Sequence, residues 1–231
     1  MGIYRQFACH TWLMPIVMFD QWVEAVFEHP LRKPEWYWDS DFDEYWDALG
    51  LSDALTVEYL TRLFLDPDQL KRYSLEQLAQ AIWFLVGESS PGQSAYALLK
   101  SDVLLEQWTG CVHAIGNFFR VFIAAAAPGT ADVEKNPFHG ACYMWWDIFP
   151  TYGSSNAGEP KLHSACLETM AGILTIPSEL CQLSALHGLN HWHLHHAEKV
   201  EVLVDEFLQQ AHGLTPRIIE YAATARSGRA L

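Results

Sequence analysis

Along most of this chain apolar residues recur at intervals of three and four, the spacing of one face of an α-helix. Val17 to Glu28 places Met18, Trp22, Val23, Val26 and Phe27 on such a face, and Pro30 and Pro34 then stop it. Thr56 to Leu65 runs into Asp66-Pro67. Ser74 and Gln77 have the spacing of a capping box, after which Leu75, Leu78, Ala79, Ile82, Trp83 and Val86 keep the period until Gly87. Ser101 opens the longest predicted helix. Its stripe is Leu104, Trp108, Cys111, Val112, Ile115, Phe118, Phe119 and Phe122, and Pro128-Gly129 closes it. Asn136-Pro137 starts another helix, FHGACYMWWDI, bounded by Pro150. Thr151 to Pro160 reads as a surface loop rich in Gly, Ser and Pro. Leu162 to Ile176 precedes Pro177, Ser178 caps a histidine-rich helix, Lys199 to Ala211 follows, and Thr215-Pro216 opens Arg217 to Arg226.

No window alternates with the period of a strand. The expected fold is all-α: antiparallel helical hairpins, as a HEAT-like array or an irregular helical bundle. One domain is expected over residues 1–231, with an acidic, aromatic portion (1–50) packed on a helical array (51–231).

Composition narrows the function classes more than the fold. Half of the 231 residues are apolar and ten are tryptophan, so the chain can fill a large core. Acids outnumber bases 28 to 14, and the net charge of −14 argues against nucleic acid or anionic membrane as partner and is compatible with a basic protein. The five cysteines stand singly among apolar residues and read as reduced core thiols. Val112 to Ala127 contains His113, Asn117 and Arg120, which reads as a buried helix rather than a membrane span. With no signal-peptide pattern at the N-terminus, a cytoplasmic protein is expected.

Five of the eleven histidines lie between His187 and His196. His187, His191 and His195 are spaced four apart on one side of a helix, and two imidazoles one turn apart can reach one zinc or iron ion. The spacing lacks the glutamate of the HExxH motif, since Gly188 follows His187. A third ligand would come from elsewhere, with Glu168 and Asp147 the candidates. The competing reading, preferred here, is that His187 and His191 pack between helices while His193, His195 and His196 form a polar helix end. Trp145-Trp146 could stack a ring with Asp147 fixing it, but paired tryptophans are more often core. No nucleophile elbow, phosphate loop or dinucleotide fingerprint occurs, and a Cys181–His187 pair is a weak signal. A protein without catalytic residues or cofactor is expected.

Glu35 to Glu58 is the most unusual stretch, with eight acids and no base. Six aromatics fall in the eleven residues from Trp36 to Trp46, more than short helices readily bury. Ser40 can cap a short helix whose first turn carries Asp41, Asp43 and Glu44. The surface reading is a dock for a basic protein. Asp39, Asp41, Asp43, Glu44 and Asp47 would steer it, and Trp36, Trp38 and Trp46 would anchor it.

Four segments carry a resemblance: Ser74-x-x-Gln-Leu-Ala-Gln-x-Ile-Trp-Phe-Leu, Cys142-Tyr-Met-Trp-Trp-Asp, Ser184-Ala-Leu-His-Gly-Leu-x-His-Trp and Tyr221-Ala-x-x-Ala-Arg-x-Gly. Together they look like a group of uncharacterised all-helical bacterial proteins. In size, charge and helical class the chain also resembles the immunity proteins that neutralise bacterial toxins. That likeness implies direct inhibition of a basic toxin, for example a nuclease. The alternatives are a metal-dependent enzyme or metal-binding protein on the histidine helix, and a helical scaffold.

Overall fold

The computed structural model describes residues 17–39, 42–87, 103–148 and 160–229, without the side chains of residues 42–44, 147 and 148. Among the described residues the regular structure is entirely helical. The elements are α1 (Phe19–Phe27), α2 (Phe42–Asp47), α3 (Asp53–Leu65), α4 (Leu75–Val86), α5 (Leu105–Phe118), α6 (Ala124–Ala126), α7 (Pro137–Tyr143), α8 (Trp145–Ile148), α9 (Pro160–Leu174), α10 (Glu179–Gln210) and α11 (Pro216–Ser227).

Local chemistry sets the helix starts. The Ser74 hydroxyl accepts from the Gln77 amide at 3.2 Å, and the Gln77 side chain accepts from the Ser74 amide at 3.1 Å. Asn136 caps α7 just ahead of Pro137, and Thr215 caps α11 ahead of Pro216. Ser52 caps α3 three residues before the sequence pattern suggests a start. At the other end of α11, Gly228 takes φ +62°, a left-handed cap that a side chain would strain. Ser101 lies outside the described residues, and α5 starts after Leu104.

α5 is packed between α3 and α9. By length and composition, Leu105–Ala126 could cross a membrane, but its Cys111, Val112, Ile115, Phe118 and Phe119 are buried in the core. A π-turn at Phe119–Ile123 joins α5 to α6 and leaves Phe118 and Phe122 stacked, with centroids 5.2 Å apart. α4 packs on α7, and α10 touches α7, α8, α9 and α11. In a helical array each hairpin meets only its sequence neighbours. Here α4–α7 and α5–α9 pair across intervening elements, so the packing is that of an irregular bundle.

α10 holds 32 residues but is not one rod. His196 has non-helical angles (φ −138°, ψ 37°) and divides it into two arms. The second arm runs back along the first, bringing Phe207 and Gln210 to a cavity shared with Leu174 and Gln182. Arg217 bonds Glu179 at 3.2 Å and closes the return.

Candidate functional site

The acidic, aromatic stretch divides between core and surface. Trp36 is 3% exposed, its ring stacked on His29 at 3.7 Å and against Phe84 at 4.9 Å. Trp46 is 1% exposed and meets the same Phe84 edge-on at 5.0 Å. Phe84 is buried in α4 although it lies off the predicted stripe, and both indoles pack into the core around it. The expectation that Trp36 and Trp46 anchor a partner is therefore corrected: burial removes both from contact.

Among the described side chains Trp38 and Tyr45 are the exposed aromatics of the stretch, at 60% and 49%. Asp39 pairs with Arg32, whose guanidinium also donates to the Trp36 carbonyl at 3.3 Å. Its charge thus holds the turn at Trp36–Trp38 as well as facing solvent. Asp47 is exposed. Asp41 and the side chains of Asp43 and Glu44 lie outside the described residues, as does the Ser40 cap.

Beside Tyr45, α1 and the turn after α2 enclose a groove of about 720 Å³. Its walls include Gln21, Glu24, Glu28, His29, Tyr45 and Leu49. His29 donates from Nε2 to the Ala25 carbonyl at 2.7 Å, and burial holds its pKa below the ordinary histidine value. A neutral imidazole leaves Glu24 and Glu28 as the formal charges on the walls, with two cations near them: Arg72, 3.9 Å from Glu24 and also acting on Glu28, and Arg32, whose charge reaches His29. The groove was not legible in the sequence, because α1 gives no sign of facing Tyr45.

The histidine helix is built differently. Tyr143 from α7 and Tyr221 from α11 close over His187. The Tyr221 hydroxyl lies 2.8 Å from His187 Nδ1 and 2.6 Å from the Tyr143 hydroxyl, and the Tyr143 ring sits 4.1 Å from the imidazole. Burial pushes the His187 pKa down to about 4, and His191 beside it at 4.7 Å adds to the fall. The imidazole is therefore neutral at pH 7.

Neighbouring contacts complete the seam. The Ser184 hydroxyl donates to the Cys142 carbonyl at 2.6 Å. A Cβ at Gly188 would stand 2.4 Å from Trp146 Cβ and 2.7 Å from Met170 Sδ, so only glycine admits this approach of helices. Three of the four segments that carry the sequence resemblance, around Tyr143, His187 and Tyr221, meet in this one seam.

Metal chemistry finds no ligand set here: among the described residues no three His, Cys, Asp or Glu side chains could hold one ion. His187 and His191 adjoin one another, but His195 is exposed and Glu168 faces His113 at 3.7 Å. The Asp147 side chain is outside the described residues. The Cys181 thiol donates to the Phe119 carbonyl at 3.7 Å, and burial pushes its pKa up to about 11, far from a thiolate nucleophile. Trp145 and Trp146 are both buried, as the core reading of that pair expects.

No family model matches the chain, and no curated protein or solved structure resembles it closely enough to count as a match.

Proposed function

We propose that this protein is a non-enzymatic binding module that docks a basic protein through its N-terminal face. The observation that carries this reading is the groove beside α1: Glu24 and Glu28 on its walls, a neutral His29, and the half-exposed Tyr45 at its edge. Exposed Trp38 supplies a second aromatic anchor. Aromatic side chains give large contact area at low entropic cost, and carboxylates around them speed encounter with a cationic surface. The net charge of −14 extends that attraction beyond the groove.

Within this class, an immunity-type inhibitor of a basic toxin, such as a nuclease, fits best. Size, acidity and helical class support it. Such an inhibitor would act in the cytoplasm by covering the toxin's substrate site. An immunity gene lies directly beside its toxin, which makes the test short. The adjacent basic gene product is co-expressed with wild-type protein or with Trp38→Ala/Tyr45→Ala. Wild type should rescue growth, and the double variant should lose rescue while keeping its helical CD spectrum. Undiminished rescue by the double variant would refute this docking face.

A further inference from the structure

The return of α10 leaves a second groove, far from the acidic aromatic stretch in sequence. Along α9 it is lined by Ser164, Leu167, Glu168 and Ala171, and by Gly172 and Thr175 further on. Those positions are three and four apart and form one helical stripe. Opposite them, Glu198, Lys199, Val202, Leu203, Glu206 and Phe207 make the matching stripe on the second arm. Two cavities, of about 630 and 590 Å³, adjoin through their shared residues Ala171 and Leu203. Leu167, Leu174 and Phe207 floor the groove, and Val202 on its wall is 54% exposed. A Cβ at Gly172 would meet no atom within 4 Å, so this side of α9 stands open.

Two parallel helical stripes with an apolar floor between them are the seat for a third helix. From Ser164 to Thr175 the lined length is about 17 Å at 1.5 Å per residue, or roughly three turns. Among the described residues the groove's lining carries Glu168, Glu198 and Glu206 against Lys199. Arg120 is bonded to the Gly172 carbonyl and the Thr175 hydroxyl at one end and His113 lies 3.7 Å from Glu168, so carboxylates still outnumber cations. We propose that this groove binds an amphipathic helix of a partner protein, some three to four turns long, with apolar residues on one face and Lys or Arg on its flanks. A second copy of this chain is the weaker occupant, because each copy carries a net charge of −14 and would bring carboxylate rims together. The inference does not depend on the N-terminal groove and survives its failure.

The probe is a fluorescein-labelled 14-residue peptide, LKKLLKKLLKKLLK, with a control in which every Lys is Glu. Fluorescence anisotropy on the whole chain should show saturable binding of the Lys peptide and none of the Glu peptide. Ala171→Trp, which fills the centre of the groove, should weaken binding at least tenfold. Val202→Lys, at an exposed position, should weaken it at least fivefold. Trp38→Ala/Tyr45→Ala should leave it unchanged. Equal affinity of wild type and Val202→Lys, with both monomeric and folded by CD, would overturn the proposal. So would a wild-type dimer in sedimentation velocity that Val202→Lys dissociates, which would assign the groove to self-association.

Discussion

Both ends of this molecule concentrate residues that invite a chemical reading, and the fold uses them in opposite ways. Between Trp36 and Trp46 the aromatics separate: Trp36 and Trp46 sink onto Phe84 of α4, while Trp38 and Tyr45 stay at the surface beside an acidic groove. At His187 the imidazole is drawn inward, bonded by Tyr221, covered by Tyr143 and kept neutral by burial, with the His191 ring against it. The first region retains exposed aromatic and carboxylate groups at its surface. The second spends its polar groups on holding three helices together. Enrichment of a residue type along the chain therefore says little until the far side of each helix is known.

The sharpest way to break this comparison is to truncate the two kinds of tryptophan. Trp46→Ala should lose about 3–5 kcal/mol of stability, the usual cost of emptying a buried aromatic site. Trp38→Ala should stay within about 0.5 kcal/mol of wild type, as exposed substitutions do. Urea melts of the pair check this, and equal losses would mean the division between core and surface is misdrawn. Next in size is Gly188→Ala. Its methyl group would press on Trp146 and Met170, at a cost of about 1–3 kcal/mol for overpacking, partly offset by better helix propensity. Thermal melting should fall by several degrees, and an unchanged midpoint would deny the close helix approach.

A pH series sharpens the histidine side. The native imidazole of His187 has its pKa lowered to about 4 from the ordinary 6.5, so between those values the unfolded chain takes up a proton that the folded chain refuses. Stability is then complete above pH 6.5 and declines as pH falls toward 4, by an amount on the order of 3 kcal/mol. His29, His139 and His196, also lowered by burial, act in the same direction. His187→Gln should flatten the decline, and an equally steep decline in that variant would place its origin elsewhere. A smaller loss is expected for Tyr221→Phe, which removes the hydroxyl shared by His187 and Tyr143 and should cost about 1–2 kcal/mol in a urea melt.

Much of the architecture was legible in the sequence because it rests on local signals. The Ser74 capping box, the Asn136-Pro137 and Thr215-Pro216 starts and the buried stripe from Cys111 to Phe122 stand where the pattern places them, whereas Leu104, expected on that stripe, is exposed ahead of α5 and Trp108 is half-buried. The separation of the histidine helix from the following one was legible too, but not the reversal at His196. No proline or glycine marks that point, and the direction of the second arm depends on packing against α9 and α11. Burial of Trp36 was hidden for a similar reason, since its partner Phe84 lies 48 positions away on another helix. So was the meeting of Tyr143, His187 and Tyr221, where every contact is long-range.

The most direct test of docking at the N-terminal face is a calorimetric titration of the adjacent basic gene product into wild type and Trp38→Ala/Tyr45→Ala, at low and at physiological salt. The expected result is tight binding by wild type that weakens with salt, and a loss of at least tenfold in the double variant, about 1.4 kcal/mol or more. Equal affinity for wild type and variant at both salt concentrations would contradict it.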